Sequence, residues 1–198
     1  MSRTAIDIVI LPPPHVSDLA IEWNCKLAEN LQQEIVLNHV DTLPHISVLM
    51  GGIESFKLPE AQRMLSEMAA ATRAFTLEVP RLVFTESSPP VAALDIILSP
   101  DLSKLQQELT VAFAPLMRKT KESDFSDAPP IKASTIEWTN RFTVDQCGDR
   151  YWPHITLGHG RHDDQQEPFT FTATRLAIAH LGNHCTCRKI LAEASLSW

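Results

Sequence analysis

Residues 44–47 read Pro-His-Ile-Ser, and residues 153–156 read Pro-His-Ile-Thr. Each tetrad lies in a short apolar run that predicts a β-strand. Because alternate residues of a strand point to the same face, each histidine is expected to project beside its serine or threonine, while each isoleucine faces the core. The two tetrads therefore predict two similar strands, each presenting an imidazole and a hydroxyl group.

A second similarity indicates that these strands belong to two related halves of the chain. Residues 75–81 begin Phe-Thr-Leu and end in arginine, and residues 169–175 begin Phe-Thr-Phe and end in arginine. The two tetrads lie further apart in the sequence than the two Phe-Thr segments do, and the difference equals the length of one helix. This helix is expected over residues 59–73 and has no counterpart in the second half. We therefore predict an internal duplication with an extra helix in the first half.

Hydrophobic periodicity predicts the remaining elements. Helices are expected over residues 17–35, 59–73 and 101–120. The first is capped by Ser17 or Asp18, and the third is kinked or ends early at Pro115. Residues 121–132 are expected to form an exposed loop. Strands are expected over residues 6–11, 45–50, 75–85, 91–98, 138–144, 151–158, 169–179 and 188–197, with two glycines stopping the second.

The composition is that of a soluble globular domain. The chain has 198 residues, a formal net charge of −7, 44% apolar residues and 21% charged residues, which fits one domain. An acidic chain lacks the basic footprint that binding along duplex DNA requires. A small nucleotide or a strand end can still be held in a local pocket.

The apolar runs of the sequence are too short for a membrane helix, which needs about 20 apolar residues. The first run, over residues 5–11, contains an acid and stops at three prolines, so it is also too short for a secretory signal. We therefore expect a cytoplasmic protein without a membrane partner. Its four cysteines are expected to be free thiols.

The two tetrads together offer acid–base chemistry. If the halves pack about a pseudo-two-fold axis, one cleft holds two imidazoles and two hydroxyl groups. Histidine titrates at about pH 6.5, so one ring can act as base while the other acts as acid, each contributing about 10²–10⁴-fold to a rate. The hydroxyls can bind phosphoryl oxygens. Such a site suits in-line displacement at a phosphodiester and requires no metal or cofactor.

The paired motifs resemble those of the 2H phosphoesterase superfamily, the group of the bacterial 2′-5′ RNA ligase and RNA 2′,3′-cyclic phosphodiesterase. A proline precedes each histidine, and residues 151–157 are similar to the usual second motif. The resemblance covers most of the chain. It implies an α+β fold with two pseudo-symmetric lobes of mainly antiparallel sheet, outer helices and an active-site cleft between the lobes. Residues 1–198 would then form a single bilobal domain of two interleaved halves.

The resemblance also implies a function. His45 and His154 would be the catalytic pair of a metal-independent phosphoesterase, with Ser47 and Thr156 as phosphate ligands. The enzyme would hydrolyse, or reversibly ligate, 2′,3′-cyclic phosphate or 2′-5′ bonds, and its partner would be an RNA end or a small nucleotide. The first motif lacks the aromatic residue that often follows it in the RNA ligase group, which leaves the substrate open. The direction of the reaction, the acid and base assignment and the oligomeric state also stay open.

Three alternatives remain at this stage. The first is a hydrolase of another small cyclic nucleotide, a cyclic oligonucleotide or a cyclic ADP-ribose phosphate. The second is a non-catalytic nucleotide- or RNA-binding module on the same scaffold, although binding alone does not need two titrating imidazoles. The third is a metallohydrolase that uses the additional histidines of the chain.

Other residues are candidates for substrate contacts or for a metal. Tyr151 and Trp152 either stack on a base or pack in the core, and Arg161 either reaches a phosphate or lies in a solvated loop. The histidines at 154, 159 and 162 do not have zinc-ligand spacing. Strand alternation separates the cluster at residues 184–187. The sequence therefore predicts no metal site.

Overall fold

The computed structural model describes residues 2–29 and 31–198. Along these residues strands and helices follow one another, joined by loops and short 3₁₀ turns. They are β1 (Arg3–Ile10), α1 (Pro14–Ala28), β2 (Ile46–Glu54), α2 (Leu58–Ala71), β3 (Phe75–Val79), β4 (Leu82–Phe84), β5 (Val91–Asp95), α3 (Pro100–Phe113), α4 (Ala133–Asp145), β6 (His154–His159), β7 (Phe169–Ala173), β8 (Arg175–Leu181) and β9 (Cys187–Ser195).

The strands form three antiparallel sheets. The largest has the order β2-β1-β8-β9, the second has the order β4-β5-β6, and β3 pairs with β7. The expected α+β fold with mainly antiparallel sheets is confirmed. Within residues 2–29 and 31–198 no helix is long and apolar enough to cross a membrane.

The two halves of the chain are interleaved in these sheets. Strands β3 and β7, which carry the Phe-Thr similarity, pair with each other. Strand β8 from the second half joins β1 in the largest sheet, and β6 from the second half joins β5 in the second sheet. Both larger sheets therefore contain strands from both halves. The duplication itself stays a prediction.

Two expected long strands are each divided. Residues 75–85 form β3 and β4, and residues 169–179 form β7 and β8, because the chain passes from one sheet to another in each case. Pro80 lies at the first break and has no backbone N–H for a ladder. Thr174 lies at the second, where its carbonyl accepts from the Leu196 backbone N–H at 2.8 Å.

The prediction that two glycines end the second strand was wrong, because β2 continues through Gly51 and Gly52. The glycines instead allow another segment to approach the strand. Gly52 and Arg118 exchange backbone hydrogen bonds of 2.8 and 2.7 Å, and a Cβ atom at Gly51 would lie 2.7 Å from Met117 Sδ. The two glycines therefore mark a close backbone contact rather than a turn.

Helix α1 begins at Pro14, not at Ser17 or Asp18, and ends at Ala28. Proline suits a first helical turn because its fixed φ is already helical and its missing N–H would be unpaired there in any case. The apolar residue Ile35 belongs to the segment that follows, and Asn30 of the expected helix lies outside the described residues. Helix α3 ends at Phe113, so Pro115 marks an early end rather than a kink.

The expected strand at residues 138–144 is also wrong, since this segment belongs to α4. Its buried residues are Thr135, Thr139 and Phe142, a spacing that follows the helical period rather than the alternation of a strand. The segment before it, residues 121–132, is not uniformly exposed. Its buried members are Asp124, Phe125 and Ile131.

Strands β2 and β6 bulge at corresponding positions. Ser47 pairs with Val9 and Leu49 with Ile8, which leaves the residue between them unpaired. In β6, Thr156 pairs with Ala93 and Gly158 with Ala92, so the residue between Thr156 and Gly158 is also unpaired. Both bulges therefore come directly after the hydroxyl residue of a tetrad, and bulges are frequent beside active sites. The isoleucines before them, Ile46 and Ile155, are fully buried as predicted.

The bulge in β6 changes which side chains share a face of the sheet. Residues paired across a ladder point to the same side. His159 pairs with Val91, and Thr156 pairs with Ala93, two residues further along β5. His159 therefore lies on the same face as Thr156, although simple alternation would put them on opposite faces. Gly158, with a φ of +138°, permits this turn of the backbone.

Candidate active site

His45 and His154 are held in the same way. The Nδ1 atom of His45 lies 2.7 Å from the Leu43 carbonyl oxygen, and that of His154 lies 2.9 Å from the Trp152 carbonyl oxygen. A carbonyl oxygen only accepts, so Nδ1 carries the proton in each ring. The Nε2 atom of each neutral imidazole is therefore free to accept a proton. The two rings are also close enough for the charge of His154 to lower the pKa of His45.

A buried acid, Asp7 on β1, lies beside the first tetrad. Its Oδ2 atom accepts a 2.6 Å hydrogen bond from the Ser47 hydroxyl and lies 3.8 Å from His45 Nε2. Burial raises the pKa of Asp7 well above its ordinary value, against the opposing effect of the Ser47 hydrogen bond. Burial also lowers the pKa of His45 to about 4. Both shifts favour the uncharged forms of Asp7 and His45.

The second tetrad has a different environment. The Trp152 ring stacks on His154 with ring centroids 4.0 Å apart and an interplanar angle of 22°. The indole Nε1 donates to Asp95 Oδ1 at 2.9 Å, and Asp95 pairs with His154 across the ladder. Burial lowers the pKa of His154, while the Trp152 carbonyl and the charge of Asp95 raise it. Asp95 thus favours the protonated ring.

The two hydroxyl groups also differ. Ser47 donates its proton to Asp7, whereas the Thr156 hydroxyl makes no hydrogen bond with any residue that the structure describes. Both side chains are half-buried. The Thr156 hydroxyl is therefore the donor that is available to an incoming anion without rearrangement.

Tyr151 connects the two tetrads. Its hydroxyl donates a 2.7 Å hydrogen bond to the Ser47 carbonyl oxygen, and the residue is only 4% exposed. Its ring is packed in the core and offers no open face to a base. Trp152 is half-buried and has one face on His154, so it is the better placed of the two aromatic candidates for stacking.

Arg161 does not lie with the other candidates. It follows the end of β6 at His159. Its guanidinium lies over the Phe84 ring at 5.4 Å from the centroid. The structure thus brings together His45, Ser47, His154 and Thr156, with Tyr151 and Trp152 beside them, and places Arg161 at the far end of the strand.

Sequence reasoning missed Asp7 and Asp95. A signal for both was present, because each is the one acid in an otherwise apolar strand, at residues 5–9 and 91–95. A carboxyl group is costly to bury, so an acid in a buried strand indicates a specific role. The position of His159 on the same sheet face as Thr156 could not be found in this way, since it depends on a bulge.

Comparisons with known proteins agree with this fold. The family model of the 2′-5′ RNA ligase superfamily matches residues 12–184 and includes both tetrads. The solved structure of TT0787 of Thermus thermophilus is similar, with a TM-score of 0.66, 14% sequence identity and 98% of each chain covered. The structure of E. coli LigT complexed with 3′-AMP has a TM-score of 0.59, 16% identity and complete coverage (100%) of both chains.

A further solved structure, described as a phosphoesterase, has a TM-score of 0.58, 15% identity and 100% of both chains covered. At these identities the likeness to solved structures shows the fold alone. A comparison with curated protein sequences finds no match.

Proposed function

The chain belongs to the 2′-5′ RNA ligase superfamily, and from this premise we propose that it is a metal-independent phosphoesterase acting on 2′,3′-cyclic phosphate or 2′-5′ bonds of RNA or nucleotides. The observation that carries the proposal is the matched presentation of two imidazoles. Each ring is fixed through Nδ1 to the carbonyl two residues before it. Each therefore offers Nε2 for proton transfer, as a two-histidine mechanism needs.

Neighbouring groups assign the roles in the direction of hydrolysis. His45 is the general base, because burial keeps its ring neutral near pH 7. Burial lowers the pKa of His154 as well, but the Trp152 carbonyl and Asp95 oppose this shift and a bound phosphodiester adds a second negative charge, so His154 is the general acid. His45 Nε2 takes a proton from water, the water oxygen bonds to phosphorus, and one P–O bond to ribose breaks. His154 Nε2 protonates the departing ribose oxygen. In ligation the two roles are exchanged.

The hydroxyl groups hold the phosphate in this scheme. Thr156 donates directly, since its proton is not otherwise engaged. Ser47 becomes a donor when Asp7 is protonated, the form that burial favours. The neutral carboxyl then donates to Ser47 Oγ, and the Ser47 proton turns to the phosphate. Asp7 and Ser47 thus act as a two-member relay that ends at a phosphoryl oxygen.

The proposed substrate is a small nucleotide or an RNA end. Structures of E. coli LigT, a protein with the same fold, have been obtained with 3′-AMP, NADP+ and ATP. The half-buried Trp152 beside His154 is placed to meet a base. The net charge of −7 argues against binding along duplex nucleic acid.

Hydrolysis of 2′,3′-cyclic nucleoside monophosphates in EDTA tests the proposal. We expect turnover by the wild type and a loss of kcat/KM of about 10²–10⁴-fold in both His45→Ala and His154→Ala. His39→Ala is the matched control, because His39 is exposed and pairs only with Asp18 among the described residues. The product identifies which bond opens.

Three results would contradict the proposal. Full activity in either variant would exclude a two-histidine mechanism, and loss of wild-type activity in EDTA that one metal restores would indicate a metallohydrolase. If the folded wild type binds these nucleotides tightly without turnover, and does so equally in both variants, the protein is a binding module.

A further inference from the structure

A second cluster of ionisable side chains lies outside the residues used above. One ligand-type atom from each of Glu34, His159 and His184 falls within 4.8 Å of the others. Two imidazoles and a carboxylate are a common ligand set for Zn²⁺ and related divalent transition metals. We propose that these three residues form a site for such an ion, with the fourth position left to water. None of the three residues takes part in the proposed reaction, so the site extends beyond the proposed function.

The state of His159 is the strongest observation. Both of its ring nitrogens are buried, and neither has a hydrogen-bond partner in the part of the chain that the structure describes. Its ring meets that of His184 edge-on, with centroids 5.8 Å apart. Buried polar atoms without a partner are rare in folded proteins and need an explanation. A metal ion bound to one nitrogen of the ring supplies that partner.

The fold assembles the cluster from distant segments. The bulge in β6 brings His159 to the sheet face that carries His154 and Thr156. The side-chain amide of Gln33 makes two hydrogen bonds with the His159 main chain. Its Oε1 atom accepts from the His159 N–H at 2.7 Å, and its Nε2 atom donates to the His159 carbonyl oxygen at 2.8 Å. This places the neighbouring residue Glu34 beside the imidazole. Gln33 thus fixes the main chain of His159, and the adjacent Glu34 supplies a ligand.

His184 approaches from the turn between β8 and β9. It has a φ of +57°, a left-handed conformation that a non-glycine residue rarely adopts. Its N–H donates to Thr135 Oγ1 at 3.0 Å, which fixes the turn on helix α4. Such backbone outliers concentrate at functional sites. His184 Nε2 lies 3.7 Å from Glu34 Oε2, and two ligands of a tetrahedral zinc ion stand about 3.4 Å apart, so only a small closure is needed.

Lys132 is the competitor for this site. Its Nζ atom lies 2.7 Å from both oxygens of Glu34 and is half-exposed. In the metal-free protein the ammonium balances the carboxylate. A divalent ion can displace it, because the flexible lysine side chain is free to turn into solvent.

An ion at this site would join the two larger sheets. His159 belongs to β6 of the second sheet, and His184 connects two strands of the largest sheet. We therefore expect metal to raise the unfolding temperature by binding the native state alone, without being needed for the chemical step.

Co²⁺ and Zn²⁺ titrations of the full chain near neutral pH test the proposal, with unfolding temperature as the second readout. We expect one Co²⁺ per chain with visible ligand-field bands and no thiolate charge-transfer band. A thiolate band would place the ion instead at the other three-residue cluster, Asp7, His45 and Cys187, and would overturn the proposal. Both readouts are independent of catalysis, so failure here and failure of the proposed function are distinguishable.

Three variants sharpen the test. His159→Phe and His184→Asn should each weaken binding by at least about 100-fold. Phenylalanine retains a ring but has no ligand nitrogen, and asparagine tolerates the left-handed backbone. Lys132→Met should tighten binding several-fold, because it removes the competing charge. His39→Ala should bind as the wild type does. Absence of saturable binding in the wild type, or unchanged binding in His159→Phe, would overturn the proposal.

Discussion

The two tetrads are nearly identical in sequence and differ in what surrounds them. Both histidines donate Nδ1–H to a carbonyl, and both strands bulge after the hydroxyl residue. In the first half a buried acid, Asp7, engages the hydroxyl of Ser47. In the second half the acid Asp95 engages an indole, and the Thr156 hydroxyl is left free among the described residues. The comparison teaches that the adjacent strand, rather than the motif, sets the chemical environment of each histidine.

The largest difference is expected between the two hydroxyl groups. Thr156→Val keeps the shape of the side chain and removes a donor that is not otherwise engaged. We expect kcat/KM for a 2′,3′-cyclic nucleotide to fall by about 10²–10³-fold, the usual effect of losing one preorganised donor. Ser47→Ala should cost only about tenfold, the worth of an ordinary hydrogen bond, because Ser47 must first give up its hydrogen bond to Asp7 before it can donate to the phosphate.

Steady-state kinetics on both variants, with unfolding measured alongside, checks this order. Urea unfolding separates a lost phosphate contact from the loss of the Ser47 bond to buried Asp7. Equal losses in the two variants, or a greater loss in Ser47→Ala at unchanged stability, would show that the two halves hold the phosphate alike.

A smaller difference is expected between the two acids. A base with a pKa of about 4 and an acid with a pKa lowered from 6.5 predict a bell-shaped kcat/KM with its maximum between pH 4 and 6.5. Above the pKa of His154 the protonated acid, and hence the rate, falls about tenfold per pH unit. Asp95→Asn removes a charge that raises this pKa, so the alkaline limb should move to lower pH. Asp7→Asn should leave it in place.

Rates from pH 3.5 to 8.5 on the wild type and the two asparagine variants test this point. Asparagine at position 7 can still donate to Ser47 Oγ, as the protonated acid does, so activity near that of the wild type is expected. A strong loss in Asp7→Asn together with a shift of the acid limb would mean that Asp7 works as a carboxylate. A rate independent of pH between 5 and 8.5 would argue against both histidine roles.

The smallest effect concerns the link between the tetrads. Tyr151→Phe removes the hydrogen bond to the Ser47 carbonyl and keeps the buried ring. We expect a loss of about 1 kcal/mol in the free energy of unfolding, seen as a fall in Tm of about 2–4 °C. Calorimetry on the variant measures it. Unchanged stability would mean that the two tetrads are positioned by their sheets alone.

The sequence predicted the candidate catalytic residues because short motifs carry them, and their roles stay a prediction. His45, Ser47, His154 and Thr156 were each identified from the two tetrads, and alternation placed the isoleucines in the core. The family was also identified from these residues. Asp7 and Asp95, each the one acid in an apolar strand, could also have been identified from the sequence as candidate site residues.

The remaining features depend on tertiary contacts that no local pattern encodes. The sequence predicted that Gly51 and Gly52 end a strand, whereas in the structure they allow the backbone of Arg118 to approach the strand closely. The β-forming residues at 138–144 are helical because Thr135, Thr139 and Phe142 pack on one face. His159 and His184 belong to two groups that spacing dismissed as metal sites. His159 and His184 come together only because β6 bulges before His159 and because the backbone at His184 is left-handed.

The pairing of β1 with β8 also affects how the protein is made. Synthesis from the N-terminus at about 5–20 residues per second completes β1 and β2 several seconds before β8 appears, so an apolar strand edge is exposed throughout this interval. Open edges of this kind favour aggregation, and contacts between residues far apart in sequence slow folding. The nascent chain therefore cannot close its largest sheet until β8 and β9 have been translated.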